Sequence, residues 1–172
     1  MSLQSHSVQF YHDDIFLTQS VARFITEGLQ GNETVIIVAT AQHREALQQV
    51  LTPEQMTHEK LRFFDAEEQL SQFMDAGWPS KLRFRQVVEG MLGQARQSGP
   101  VRVFGEMVAA LWTRRNTWAA LRLEALWNKL LEEHSFALLC AYPLSNLSTD
   151  HKSLQAISRL LHTCILNAPA AG

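Results

Sequence analysis

The chain has 172 residues, of which 46% are hydrophobic and 19% charged, with a formal charge of −2. That length and composition suit one domain with a central sheet covered by helices, and exclude a disordered tail. Lys and Arg are scattered along a mildly acidic chain, which excludes direct binding of nucleic acid.

The first fourteen residues, MSLQSHSVQFYHDD, have no basic segment followed by an apolar core, so they are not a secretory signal. No apolar run approaches the roughly 18 residues that span a bilayer, so no membrane partner is expected. The two cysteines, Cys140 and Cys164, lack metal-knuckle spacing and fit a reducing, cytoplasmic compartment. No cofactor and no metal are expected. Residues 1–172 read as a single domain with an ordered core over about 6–166 and flexible termini.

In chain order, SVQFY at 7–11 is the first strand, and DDIFLTQSVARFITEGLQG a helix capped by Asp13 or Asp14 and closed by Gly28, Gly31 and Asn32. TVIIVAT at 34–40 is the second strand, followed by the helix AQHREALQQVL, which stops before Pro53. LRFFDA at 61–66 is a shorter strand candidate, and EEQLSQFM a short helix. Ser80 caps a helix with core positions Phe84, Val87, Val88, Met91, Leu92 and Ala95, ending at Ser98-Gly99-Pro100.

VRVFGE at 101–106 and SFALLCAYP at 135–143 complete the strands. Asn116 caps TWAALRLEALWNKLLEEH between them, and Asp150 caps a last helix, HKSLQAISRLLHTCIL. Buried strands alternating with helices predict an α/β, three-layer sandwich with a mostly parallel central sheet. In such sheets ligands bind beyond the carboxyl ends of the strands. This points to Tyr11, His12 and Asp13, to Thr40 and His43, to Gly105 and Glu106, and to Tyr142.

Several chemistries fail on inspection of the residues. After the first strand, YHDDIFLTQS has no glycine and no lysine, and its two carboxylates repel phosphate, so ATP hydrolysis is excluded. His6 and His12 are six positions apart on an extended strand, about 20 Å, and do not converge on one ion. There is no G-x-S-x-G elbow, and Cys140 reads as a core thiol.

Trp112 and Trp127 are core residues by default and pocket walls as the alternative. Glu124 and Asn128 share a helix face and are expected to hydrogen-bond at the surface. Glu106, directly after a central strand, is either a helix N-terminal carboxylate satisfied by the N–H groups of VAALW or a ligand reader. The segment MDAGWPSK, residues 74–81, is a candidate lid, with Gly77 and Pro79 bracketing an exposed tryptophan.

The runs VRVFGEMVAALW, NTWAALRLEALWNKL and FALLCAYP, with the opening HSVQFY, resemble the MEDS domain, a sensory domain named for methanogen and methylotroph regulators. FITEGLQGNETVIIVAT and LRFFDAEEQLSQFM extend the similarity over nearly the whole chain. One departure is Arg115, at a turn position where the family pattern leads one to expect glycine.

The resemblance implies a RecA/KaiC-like scaffold without a functional P-loop. It implies a noncatalytic signal-transduction domain that binds a small organic molecule, a hydrocarbon derivative. Such a domain relays to a histidine kinase or a DNA-binding output partner, with a homodimer also admissible. The expected ligand-binding set, taken from the carboxyl-edge rule and the aromatic concentration of the second half, is Glu106, Tyr11, His12, Gly105, Trp112, Trp127, Asn128 and Tyr142, with His6 added through the opening motif alone. The alternatives are a ligand-free module regulating a kinase or sigma factor, and an enzyme using Glu106 as acid or base with His12 or His43 as the second titratable group.

Overall fold

A computed structural model describes residues 5–144 and 164–166. The strands are β1 (Ser5–Tyr11), β2 (Thr34–Ala39), β3 (Leu61–Asp65), the two-residue β4 (Met74–Asp75) and β5 (Trp78–Pro79), β6 (Val101–Gly105), β7 (Ala137–Pro143) and β8 (Cys164–Leu166). The helices are α1 (Asp14–Gln30), α2 (Ala41–Val50), α3 (Pro53–Met56), α4 (Ala66–Phe73), α5 (Lys81–Arg96), α6 (Met107–Thr113) and α7 (Thr117–Glu133).

Six strands form one sheet in the order β3-β2-β6-β7-β1-β8, every adjacent pair parallel. Parallel strands need crossovers, and the helices that provide them cover both faces, giving the three-layer sandwich expected from the alternating pattern. One face carries α1 and α2 over Val35, Ile37, Phe104 and Leu139; the other carries α4 to α7 over Ile36, Val38, Val103 and Leu138. Alternate residues of one strand thus enter different cores, as the two-residue period of a pleated strand requires.

Trp127 lies deep in the second core, 1% exposed, edge-on to Phe84 at 5.1 Å and to Phe136 at 6.3 Å. On the first face α1 approaches closely at Gly28, where a Cβ would fall 2.6 Å from Val35 Cγ2 and 2.7 Å from Arg102 Cδ. That space belongs to Arg102, 3% exposed, which grips Glu33 with Nε and Nη2 at 2.6 and 2.7 Å and donates from Nη1 to Phe24 O at 2.9 Å.

One expectation needs revision. The last helix, over 151–166, lies mostly outside the described residues, but its final turn is wrong: Cys164–Leu166 is a strand paired with Ser7–Gln9 of β1. The edge of β1 offers a ladder of backbone groups, and three short apolar residues gain more by pairing there than by a last helical turn.

The turn around Arg115 is also settled. Arg115 is left-handed, φ 59°, with its N–H donating to Trp112 O at 2.9 Å while Asn116 N–H donates to Leu111 O at 3.0 Å. This double bond pattern is a Schellman cap on α6, where glycine is the least strained residue. Arg115 therefore holds the turn at a cost in backbone strain.

Candidate functional site

The strand order reverses direction between β2 and β6. β2 leads through α2 to β3 on one side, and β6 leads through α6 and α7 to β7 on the other. Loops that part in opposite directions open a crevice at the carboxyl end of the sheet. A cleft of about 190 Å³ lies there, lined by Tyr11, Thr40, His43, Glu106, Ala109 and Ala110, with Glu67, Thr113, Arg114 and Pro143 completing its wall.

Glu106 forms the floor and is 2% exposed. Its backbone continues the sheet ladder, N–H to Val38 O at 3.0 Å, and its carbonyl accepts from Ala110 N–H at 2.9 Å, beginning α6. The side chain does not cap that helix, which corrects one of the two readings left open by the sequence. It crosses instead to α2, accepting from Thr40 N–H through Oε2 at 2.8 Å and meeting His43 Nδ1 with Oε1 at 2.5 Å. The carboxylate thus sits at the N-terminus of α2, where the helix dipole and unpaired N–H groups favour negative charge.

His43 is the residue that ties the cleft together. Its Nε2 lies 3.3 Å from Asp14 Oδ1 at the start of α1, so the imidazole bridges a buried carboxylate and a solvent-facing one. Burial alone would lower its pKa, but the hydrogen bond and charge of Glu106, joined by Asp14, outweigh it and raise His43 above its ordinary value of 6.5. Tyr11, edge-on to the His43 ring at 6.2 Å, has its hydroxyl pushed up by burial first and then by the charges of Glu106 and Asp14.

The raised His43 makes stability depend on pH with a definite sign. A folded-state pKa above the unfolded one stabilises the fold fully below about pH 6.5, and the contribution is lost as pH rises through the higher value of the folded protein. The melting temperature should therefore fall above pH 6.5, and His43→Gln should flatten that part of the profile. A thermal melt series across pH 6 to 9 checks it, and an equally steep decline in the variant would assign the effect to other groups.

The structure divides the sequence-derived candidates into separate places. Glu106 and Tyr11 meet in the cleft, while Gly105 precedes Glu106 without lining it. His12 is exposed on the β1–α1 turn. Trp112 is half-buried and edge-on to Tyr142 at 6.2 Å, on the opposite face of the sheet from His43. Trp127 is in the core, away from the cleft.

His6, Asn128 and Tyr142 join a second, buried cluster under α7. His6 Nδ1 lies 2.7 Å from Asn128 Oδ1, and its Nε2 lies 3.2 Å from Glu124 Oε2 and 3.3 Å from Cys140 Sγ. Tyr142 donates its hydroxyl to Glu124. Glu124 and Asn128 share a helix face as expected, but that face turns to the sheet rather than to water, and Glu124 is fully buried. Burial, then the Glu124 charge, pushes the thiol of Cys140 and the phenol of Tyr142 up.

Thr40, His43 and Arg114 are cleft residues outside the expected ligand-binding set. The carboxyl-edge rule alone had flagged Thr40 and His43, and nothing in the sequence marks Arg114, which ion-pairs with Glu67 across the rim. The segment 74–81 forms a tight hairpin with Ala76 and Gly77 at positive φ, and Asn116 Nδ2 donates to Gly77 O at 2.8 Å. None of its residues lines the cleft, so the Glu67–Arg114 pair takes the rim position that the hairpin was expected to hold.

Fold and cleft together define a doubly wound α/β domain with a buried carboxylate–imidazole pair at its switch point. The chain belongs to the MEDS family: the model of that family, described as the methanogen/methylotroph, DcmR sensory domain, matches residues 5–160. No curated protein matches the chain. Membership assigns it a sensory role in signal transduction. No described helix is long and apolar enough to cross a membrane.

Proposed function

We propose that this domain is a noncatalytic sensor that binds a small organic molecule in the switch-point cleft and relays the bound state to a histidine kinase or DNA-binding output partner in the cytoplasm. The observation that carries the reading is the Glu106–His43 pair on the floor of an open, partly apolar cleft. A pair of this kind gives an incoming hydroxyl or carbonyl both an acceptor and a donor, while Ala109, Ala110 and Pro143 contact its carbon skeleton. About 190 Å³ is smaller than the roughly 300–1,000 Å³ that hold drug-sized ligands, which favours a compact molecule such as a short hydrocarbon derivative.

The ATPase-like scaffold has lost its phosphate site on this reading. At the N-terminus of α1, where a phosphate would sit, Asp13 caps the helix by accepting from Phe16 N–H at 2.7 Å, and Asp14 follows. Those carboxylates already use the positive end of the dipole and oppose a phosphate. The enzyme reading retains one supporting observation, the 2.5 Å contact of Glu106 with His43, which supplies the second titratable group an acid–base mechanism needs.

A ligand shifts such a domain only by binding two states differently. The Glu67–Arg114 pair across the rim is the contact a bound molecule would rearrange first, and the bound state then passes through α4 and α6 to a partner or a second copy. A thermal-shift screen of short alcohols, halocarbons, organic acids and nucleotides tests the proposal. A ligand at 100 times its Kd adds about 2.7 kcal/mol, a readily measured rise in Tm. Stabilisation by a compact organic compound, lost in Glu106→Gln, supports it; stabilisation by nucleotides alone overturns it, and turnover of a stabilising compound moves the domain to the enzyme reading.

A further inference from the structure

The cluster under α7 lies apart from the cleft and brings together three chemically different donors from positions 6, 124 and 140 of the chain. His6 on β1, Glu124 on α7 and Cys140 on β7 each offer one ligand atom, and these atoms lie within 4.8 Å of one another with all three residues buried. We infer that His6, Glu124 and Cys140 form a binding site for a divalent transition-metal ion of the zinc class.

The spacing supports it. Metal–ligand bonds of about 2.0–2.3 Å at tetrahedral angles put ligand atoms about 3.3–3.6 Å apart. The His6 Nε2 to Cys140 Sγ distance of 3.3 Å lies at the short edge of that range, and the Nε2 to Glu124 Oε2 distance of 3.2 Å falls just below it. Small outward shifts of these side chains admit the ion.

The surrounding groups orient the donors as metal sites require. Asn128 Oδ1 is an amide oxygen and only accepts, so its 2.7 Å contact places the proton of a neutral His6 on Nδ1 and leaves the Nε2 lone pair facing thiol and carboxylate. The hydroxyl of Tyr142 donates to the other oxygen of Glu124 and fixes the carboxylate plane. Ligating histidines and carboxylates are held by such outer partners.

Charge balance and donor type narrow the ion. One thiolate and one carboxylate neutralise a dication, which suits a buried site. Sulfur and imidazole donors favour zinc-like ions over calcium and magnesium, which take oxygen ligands. Three protein ligands leave a fourth position open, as in zinc sites that exchange a bound molecule. Room exists on that face: Gly105 pairs in register with Cys140, is buried, and a Cβ built on it would meet nothing within 4 Å.

Cobalt(II) titration of the reduced full chain, stripped of metal with a chelator, provides the test. One equivalent should produce tetrahedral d–d bands and a thiolate-to-cobalt charge-transfer band, both removed by zinc. Cys140→Ser should abolish the charge-transfer band, and Asn128→Ala should keep it while weakening affinity about 10–100-fold. Circular dichroism establishes that each variant is folded. A folded wild-type chain without cobalt bands, a charge-transfer band that survives Cys140→Ser, or unchanged affinity in Asn128→Ala would each overturn the site.

Discussion

Glu106→Ala is expected to lower the unfolding free energy by about 2–4 kcal/mol, while Glu106→Gln costs less than about half of that. The carboxylate is 2% exposed and meets two groups from one helix end, Thr40 N–H and His43 Nδ1. Truncation leaves the part-buried N–H of Thr40 without its acceptor and removes negative charge from the N-terminus of α2. Glutamine keeps an oxygen for Thr40, and its amide N–H can donate to His43 Nδ1 in the other tautomer.

The two variants also separate structure from recognition. Urea denaturation gives the stability of each, and the screen for compact organic compounds gives binding. A Gln variant that stays near wild-type stability but loses the ligand response marks Glu106 as a reader. A Gln variant that binds normally while melting far lower makes it a structural residue, and the ligand site must then be sought elsewhere.

The second large effect is an asymmetry around Arg102. Glu33→Ala should cost about 3 kcal/mol or more, because it leaves a guanidinium inside the α1 face with Phe24 O and the more distant Glu27, at 4.0 Å, as partners. Arg102→Met should cost clearly less. Methionine fills much of the space and leaves no unpaired buried charge: it abandons Phe24 O, a carbonyl inside α1, and the carboxylates of Glu27 and Glu33, whose side chains are 59% and 20% exposed and can reach water. The double variant Arg102→Met with Glu33→Ala should recover much of the Glu33→Ala loss, and a double-mutant cycle in urea measures the coupling. Equal costs for the two single variants would mean that the buried charge finds other partners.

Most of the fold is legible in the chain. The continuous apolar runs TVIIVA and ALLCAY read as strands buried on both sides because helices cover both faces of a parallel sheet. The caps Asp13, Ser80 and Asn116 all accept from N–H groups of their own helices, since that interaction spans only three residues and needs no tertiary context. β8 was not legible: three residues that could end a helix became a strand through the exposed ladder of β1.

The candidate site was legible in half. A carboxylate at the end of a central strand marks Glu106, and the carboxyl-edge rule marks Tyr11, Thr40 and His43. The rule does not say which loops meet, because that depends on strand order, and β2 and β6 are neighbours across more than sixty residues of intervening chain. Nor does it say which face a side chain takes. Glu106 follows β6 and Tyr142 lies near the end of β7, yet one meets His43 on α2 and the other meets Glu124 on α7.

Sequence alone determined the local periodicities, the helix caps, the absence of a phosphate loop and the family, all properties carried by residues within a few turns of one another. Tertiary structure alone decided that Glu106 satisfies a neighbouring helix rather than its own, that Arg102 is buried against Glu33, and that His6, Glu124 and Cys140 converge. Those contacts join residues 63 to 134 positions apart, and only the order and register of the parallel strands bring them within hydrogen-bonding reach.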